Sequence, residues 1–189
     1  MKSALTFASI LVLFLFQVSS ARAELGLQLT GALARNSNPP ALSSEDSNTT
    51  VTGTFAEDQG YGLGFTFGSL ASNTRFETGF LFFQRELSIT TDNGFVVEDQ
   101  SLTIQTLMIP FQFRTKLGRF LSISYGGYYD YSMTVGYLSD LGATVGGRVT
   151  VPLKGNLNFF AEGRYNYGIY EFDGISTRQT LILAGITWR

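Results

Sequence analysis

The 189-residue chain contains no cysteine and no histidine, and it has a single tryptophan and four prolines. Without cysteine there is no disulfide framework, no thiolate nucleophile and no iron–sulfur ligand, and zinc loses its softer donors. Without histidine, the side chain that most often moves protons near neutral pH is missing. Charge is scarce as well. Charged residues make up 15% of the chain, against about 25% in an ordinary soluble domain. A formal charge of −2 and a pI near 5.1 exclude an electrostatic nucleic-acid binder.

Long apolar runs are confined to the first residues. Lys2 is followed by a stretch, Ala4 to Val18, that is apolar apart from Thr6, Ser9 and Gln17, and then by the small-x-small sequence Ala21-Arg22-Ala23. This is the pattern of a secretory signal peptide over residues 1–23, too short for a transmembrane anchor, which needs about 20 apolar residues. Cleavage before Glu24 leaves 166 residues with a net charge of −4. Beyond it the apolar runs are short: 79–83 and 107–111 are five residues each, and 181–186 is six. No spanning helix is available.

What the mature chain does have is glycine, 21 in the whole sequence, with 17 Phe and 9 Tyr. Its apolar residues recur at every second position, which is the period of a strand with two unlike faces. Over 25–34, Leu25, Leu27, Leu29, Gly31 and Leu33 oppose Gln28, Thr30 and Ala32. Over 59–68, Tyr61, Leu63, Phe65 and Phe67 alternate with glycines. The same holds over 120–131, 141–152, 157–170 and 177–189. Over 74–89, Phe76, Phe80 and Phe82 oppose Arg75, Glu77 and Gly79, while Leu81 and Phe83 break the pattern and predict a bulge or an inward aromatic. Over 101–114, Leu102, Ile104, Met108 and Pro110 are assigned to the apolar face, against Gln105, Leu107 and Phe111.

Eight strands of this length exceed the 5–6 residues usual in soluble proteins and match the roughly 9–11 that cross a bilayer when tilted. Long or polar links at 35–58, 90–100, 132–140 and 171–176 alternate with short ones at 69–73, 115–119 and 153–156. Outer-membrane barrels alternate in the same way, with long links outside the cell and short periplasmic turns. The expected fold is all-β: an eight-stranded antiparallel up-and-down transmembrane β-barrel over 24–189.

The small, polar face carries the ionisable residues Arg75, Glu77, Arg148, Glu162 and Arg164, expected to form a lumen charge network, because buried charges must be paired. The apolar face is expected against lipid, with Tyr61, Tyr125, Tyr129, Tyr131, Tyr165, Tyr167 and Trp188 as interfacial aromatics. Three short segments then resemble a known family: Leu107-Met108-Ile109-Pro110-Phe111, Ala161-Glu162-Gly163-Arg164-Tyr165, and the closing stretch from Leu181 to Trp188. With these, the mature chain resembles the eight-stranded bacterial outer-membrane barrels that include OmpA- and OmpX-like proteins and PorT-like barrel domains. Many such barrels end on an aromatic residue, whereas this chain ends Trp188-Arg189. The resemblance implies insertion by a barrel-assembly machinery and contact with outer-membrane lipid and lipopolysaccharide.

Other motifs carry less. Gly60-Tyr61-Gly62-Leu63-Gly64 lacks the spacing of a phosphate loop, and lumen-facing glycines explain it better. Asn48-Thr49-Thr50 reads as a polar loop, and Glu45, Asp46, Glu57 and Asp58 as a solvated acidic link without calcium-loop spacing. Lys116 and Lys154 fall in short turns, away from any outer-leaflet substrate. No catalytic, cofactor or metal site is expected. The leading functional expectation is a filled barrel acting structurally or in adhesion, through an extracellular ligand or partner bound at 35–58. A narrow solute channel and a soluble lipocalin-like barrel are the alternatives. N-terminal sequencing of the membrane-bound protein should begin at Glu24; a start at Met1 would remove the signal-peptide reading.

Overall fold

Alternating small or polar and large apolar residues leave a strand one way to bury its polar set, which is to curl the sheet until it closes on itself. A computed structural model shows that closure; it describes residues 23–36, 50–55, 58–69, 72–92, 97–134, 139–169 and 178–188. Residues 1–22, which hold most of the expected signal peptide 1–23, the link 37–49 with its Asn48-Thr49 sequence and acidic residues, Glu57, and Arg189 lie outside them. Nine strands follow one another: β1 (Ala23–Asn36), β2 (Thr50–Phe55), β3 (Asp58–Ser69), β4 (Thr74–Asp92), β5 (Val97–Lys116), β6 (Leu121–Ser132), β7 (Asp140–Pro152), β8 (Leu157–Gly168) and β9 (Arg178–Trp188). All pair antiparallel. Sequence neighbours pair from β3 through β9, while β1 pairs with both β3 and β9 and closes the ring. Eight strands form the barrel, and β2 is an addition on the far end of β4.

The register fixes the barrel's shape. A path along the hydrogen-bonded partners from Thr74 runs through Thr115, Ile123, Gly147, Gly163, Ile182, Leu33 and Gln59, and it returns to β4 at Gln84, ten residues further on. Eight strands with that stagger tilt by about 40° and enclose a backbone cylinder of roughly 8 Å radius. Because the displacement is even, inward positions still meet inward positions after one circuit. The alternation is therefore consistent all the way round.

The apolar set faces outward. Leu25, Leu29, Leu63, Phe80, Val145 and Ile182 are exposed, with Leu25 at 63% and Ile182 at 62%. A soluble lipocalin-like barrel requires the opposite arrangement. Leu81 and Phe83 point inward and are buried, and the β3–β4 and β4–β5 registers run past them without a bulge. The extra residue lies elsewhere: Phe55 and Gln59 are four apart, while their β4 partners Leu87 and Gln84 are three apart.

Two expectations need correction. On β5 the residues Ile104, Met108 and Pro110 face the lumen, and Leu107, Ile109 and Phe111 face out. Both sets are apolar, so hydrophobicity could not orient this strand; its register beside β4 puts Gln112 and Arg114 on the Glu77 side, and that does. The links at 90–100 and 35–58 are also shorter than expected. The β4–β5 ladder continues to the pair Asp92–Val97, and β2 pairs along β4 from Leu87 to Asp92, so a three-stranded ribbon projects beyond the barrel rim.

Large inward side chains need space, and glycines on β3 supply it. A Cβ on Gly60 would lie 2.5 Å from Phe83 Cδ1, and one on Gly62 would run into the Phe80 carbonyl and the Leu81 side chain. Around Gly147, on the outer face, nothing lies within 4 Å of a built Cβ. Gly62→Val should therefore cost about 1–3 kcal/mol, the usual penalty for overpacking, whereas Gly147→Ala should be close to neutral. Urea unfolding of the two variants in detergent checks this; equal midpoints would contradict the packing account.

Candidate functional site

Inward positions on β4, β5, β7 and β8 deliver charges to one level of the lumen. Glu77 stands on β4, Arg114 on the adjacent β5, and Arg148 on β7 opposite Glu162 on β8, so that the contacts between the two pairs reach across the lumen. Glu162 is the hub. Its Oε2 accepts from Arg148 Nη2 at 2.7 Å, from Arg148 Nε at 2.8 Å and from Arg114 Nη2 at 2.9 Å. Its other oxygen accepts from Arg164 at 3.0 Å and from Ser124 Oγ at 3.2 Å. Glu77 accepts from Arg114 Nε at 2.8 Å and from Gln112 Nε2 at 3.1 Å, with Arg148 at 3.5 Å. The guanidinium of Arg148 also lies 4.1 Å from the centroid of the buried Phe160 ring. Both carboxylates thus have their lone pairs engaged by charged or amide donors, the condition under which buried ion pairs become tolerable.

Four of the five residues anticipated for this network meet directly: Glu77, Arg148, Glu162 and Arg164. Arg75 is buried on the same inward face of β4 and lies toward the short-turn end. Arg114 was missed because the facing of its strand was reversed, although it shares parity with Gln112 just after the apolar run 107–111. A second cluster, at the opposite end of the lumen, was missed altogether. Arg85 bridges Asp58 at 3.3 Å and Asp130 at 2.7 Å, and all three are buried. Parity carried that signal, since Arg85 follows Arg75, Glu77, Leu81 and Phe83 at odd positions. Asp58, expected in a solvated acidic link, is instead fully buried at the top of β3.

Between the two charged sets lies an apolar layer. Leu81, Phe83, Met108, Tyr128, Leu181 and Leu183 form one buried cluster, with Phe83 and Met108 at 0% exposure. Tyr128 donates its hydroxyl to Asp140 at 2.9 Å, so its polar end is satisfied toward the upper rim. No group of acidic residues able to hold a metal ion occurs among the described residues.

The outward aromatics fall at different depths. Tyr61, Tyr129, Tyr131 and Tyr167 lie near the strand ends next to the long links, and Trp188 closes β9 at the short-turn end. Tyr165 is set back from the rim, three residues before Gly168. Tyr125 sits deeper in the wall, beside Phe113 at 6.1 Å between ring centroids, and Phe113 in turn packs edge-on with Phe76 at 5.7 Å.

Replacing Glu162 by Gln leaves Arg114, Arg148 and Arg164 around a neutral amide. That change should cost about 3–5 kcal/mol, as expected for breaking a buried pair from one side, whereas Glu98→Gln, at an exposed ribbon position, should cost almost nothing. Urea titration of both variants in phospholipid vesicles makes the comparison, and a similar small loss in each would show that the network is not structural.

No protein-family model and no curated protein sequence matches the chain. Its fold does have solved counterparts. The outer membrane protein OprG from Pseudomonas aeruginosa is similar at a TM-score of 0.58 and 12% identity, over 89% of this chain and 95% of OprG. The outer membrane protein AlkL, determined in DMPC lipid bilayers, is similar at 0.53 and 8% identity, over 89% of this chain and 90% of AlkL. At such identities the likeness is one of fold: this chain folds as an eight-stranded antiparallel barrel of the outer-membrane type.

Proposed function

We propose that this chain is an integral protein of the bacterial outer membrane whose sealed barrel serves as a rigid mount for an extracellular binding or adhesion surface. The observation that carries the reading is the stoppered lumen. The buried layer of Leu81, Phe83, Met108, Leu181 and Leu183 separates two ion-paired clusters, and a wet path would have to cross both the layer and the clusters. A narrow channel for small solutes is the weaker reading for that reason.

The ribbon made by β2, β4 and β5 supports the mounting role. It holds backbone structure beyond the barrel rim, and loops or ribbons on rigid scaffolds are where recognition concentrates. The extracellular ligand or partner would engage this ribbon together with the rest of 35–58. The finer kinship with OmpA-, OmpX- and PorT-like barrels rests on the short segments at 107–111, 161–165 and 181–188. The same reading brings lipopolysaccharide against the upper wall, phospholipid against the lower wall, and a barrel-assembly machinery as the partner for insertion. It is a non-catalytic role, in keeping with a chain that has neither histidine nor cysteine.

Reconstituted into planar bilayers, the purified protein should show no steady conductance; regular openings would overturn the sealed-barrel reading. An epitope inserted within 37–49 should be labelled on intact cells, and one inserted after Lys154 only after permeabilisation. The reverse pattern would invert the orientation.

A further inference from the structure

Charge is almost absent from the outer wall where β8, β9, β1 and β3 stand side by side. Among the described residues, the outward positions of these four strands carry two charged side chains, Arg35 at the upper end of β1 and Arg178 at the upper end of β9. Arg35 is the register partner of Thr180. Arg178, two residues nearer the rim, is therefore its diagonal neighbour, with backbones about 7–8 Å apart. On the β8 side, Tyr165 is the partner of Thr180 and Tyr167 the partner of Arg178. Both arginines are exposed, and among the described residues neither has a carboxylate partner. The Arg178 guanidinium rests 5.4 Å from the centroid of the Tyr167 ring. A guanidinium stacked on a ring keeps its N–H edge free for an oxyanion.

Below this pair the wall is hollowed. Gly31 and Ala184 face each other in the β1–β9 register, four residues below Arg35, or about 13 Å along the strand. Their small size leaves a groove of about 800 Å³ between Tyr61, Phe80 and Phe82 on one side and Phe159 and Ile186 on the other. That volume falls within the roughly 300–1,000 Å³ of ordinary ligand clefts. The groove crosses β4, β3, β1, β9 and β8, strands spaced about 4.8 Å apart, and so has room for more than one acyl chain. A Cβ on Gly31 would meet only the Ala184 carbonyl, at 3.8 Å. Unlike the glycines beneath Phe83 and Leu81, Gly31 is not demanded by the packing of the barrel itself.

We propose that this face of the barrel binds one phosphorylated glycolipid of the outer leaflet. A phosphate sits on Arg35 and Arg178, sugar hydroxyls meet Thr180, Tyr165 and Tyr167, and acyl chains lie in the groove over Gly31 and Ala184. Charge complementarity selects this occupant. Guanidinium forks suit phosphate oxygens, and cations at the rim above an apolar wall repeat the order of an anionic headgroup above its hydrocarbon chains. A second copy of the barrel fits less well, because a two-fold interface on this patch would bring arginines against arginines. The proposal rests on the reading that turns the long links toward the cell exterior, and it names the lipid held by the upper wall of that same barrel.

The test loads the mature barrel, folded in a neutral detergent, with lipid A (the phosphorylated anchor of lipopolysaccharide), with lipid A stripped of its phosphates, or with phosphatidylglycerol. Native mass spectrometry then reads how much protein keeps one lipid. The parent should retain lipid A best. Arg35→Gln with Arg178→Gln, both at exposed positions, should retain it roughly tenfold less, as expected for losing two charge-assisted contacts, and should hold the stripped form as the parent does. Ala184→Phe fills the groove and should lower retention of both forms, whereas Val145→Phe, the same bulk at an exposed position on β7, should lower neither. A heat-modifiable band like the parent's confirms that each variant is folded. Equal retention of the phosphorylated and stripped forms by the parent, equal retention of lipid A by the parent and the arginine variant, or phosphatidylglycerol held as well as lipid A overturns the proposal. Retention is read on isolated barrels, so its failure with the 37–49 epitope still labelled on intact cells removes the lipid site and leaves the mounting role. An inverted epitope pattern removes the mounting role and the outer-leaflet assignment together.

Discussion

Closure of the backbone ladder is the constraint from which the rest of this structure follows. In a bilayer an unpaired N–H or C=O has no water to bond, so a spanning sheet must have no edge. Here the β1–β9 pairing removes the edge, and the ten-residue stagger sets the tilt and radius of the tube. A cylinder of roughly 8 Å backbone radius leaves space for side chains and little more. Every inward residue must therefore fit a volume already decided by hydrogen bonds, which explains why glycine and large side chains occur in facing pairs. Gly60 lies under Phe83, Gly142 under Tyr128 and Gly185 beside Phe160.

Given that tube, the charges inside it follow from burial. A carboxylate at 2% exposure, as Glu162 is, is stable only if several donors replace its water. Three arginines and a serine do so. Such a cluster is weak evidence for extra stability compared with an apolar filling. Its clearer consequence is specificity of register: moving any one of β5, β7 or β8 by a single residue would turn Arg114, Arg148 or Glu162 out into lipid. The network ties together strands that are not all adjacent, and so locks the stagger that the ladder alone permits.

The sequence was most readable where the two faces differ chemically. Leucines opposite Gln28 and Thr30 on β1, and Tyr-Val-Phe residues opposite glycines, serines and charges on β6 to β8, could be assigned by alternation alone. It failed on β5, because Ile104 and Met108 are no more polar than Leu107 and Phe111, and only cross-strand neighbours orient them. It failed at the outer ends of β4 and β5, where Thr90, Thr91, Asp92, Glu98 and Asp99 have the composition of a loop. Their strand geometry comes from pairing with each other and with β2, information that no single segment contains. Of the charge clusters, the members could be found by parity, but which of them meet depends on the stagger between distant strands.

The apolar layer gains a second meaning from the charges on either side of it. Among the described lumen residues, Asp58, Asp130 and Asp140 stand above it with Arg85, and Glu77 and Glu162 stand below it with Arg114, Arg148 and Arg164. In one water-filled tube both clusters would be screened by ions moving between them. Leu81, Phe83, Met108 and Leu183 interrupt that path with side chains that carry no charge and exclude water. The two clusters are thereby kept apart, each toward its own end of the barrel. The buried apolar layer thus lets one narrow lumen hold two separate ion-paired clusters.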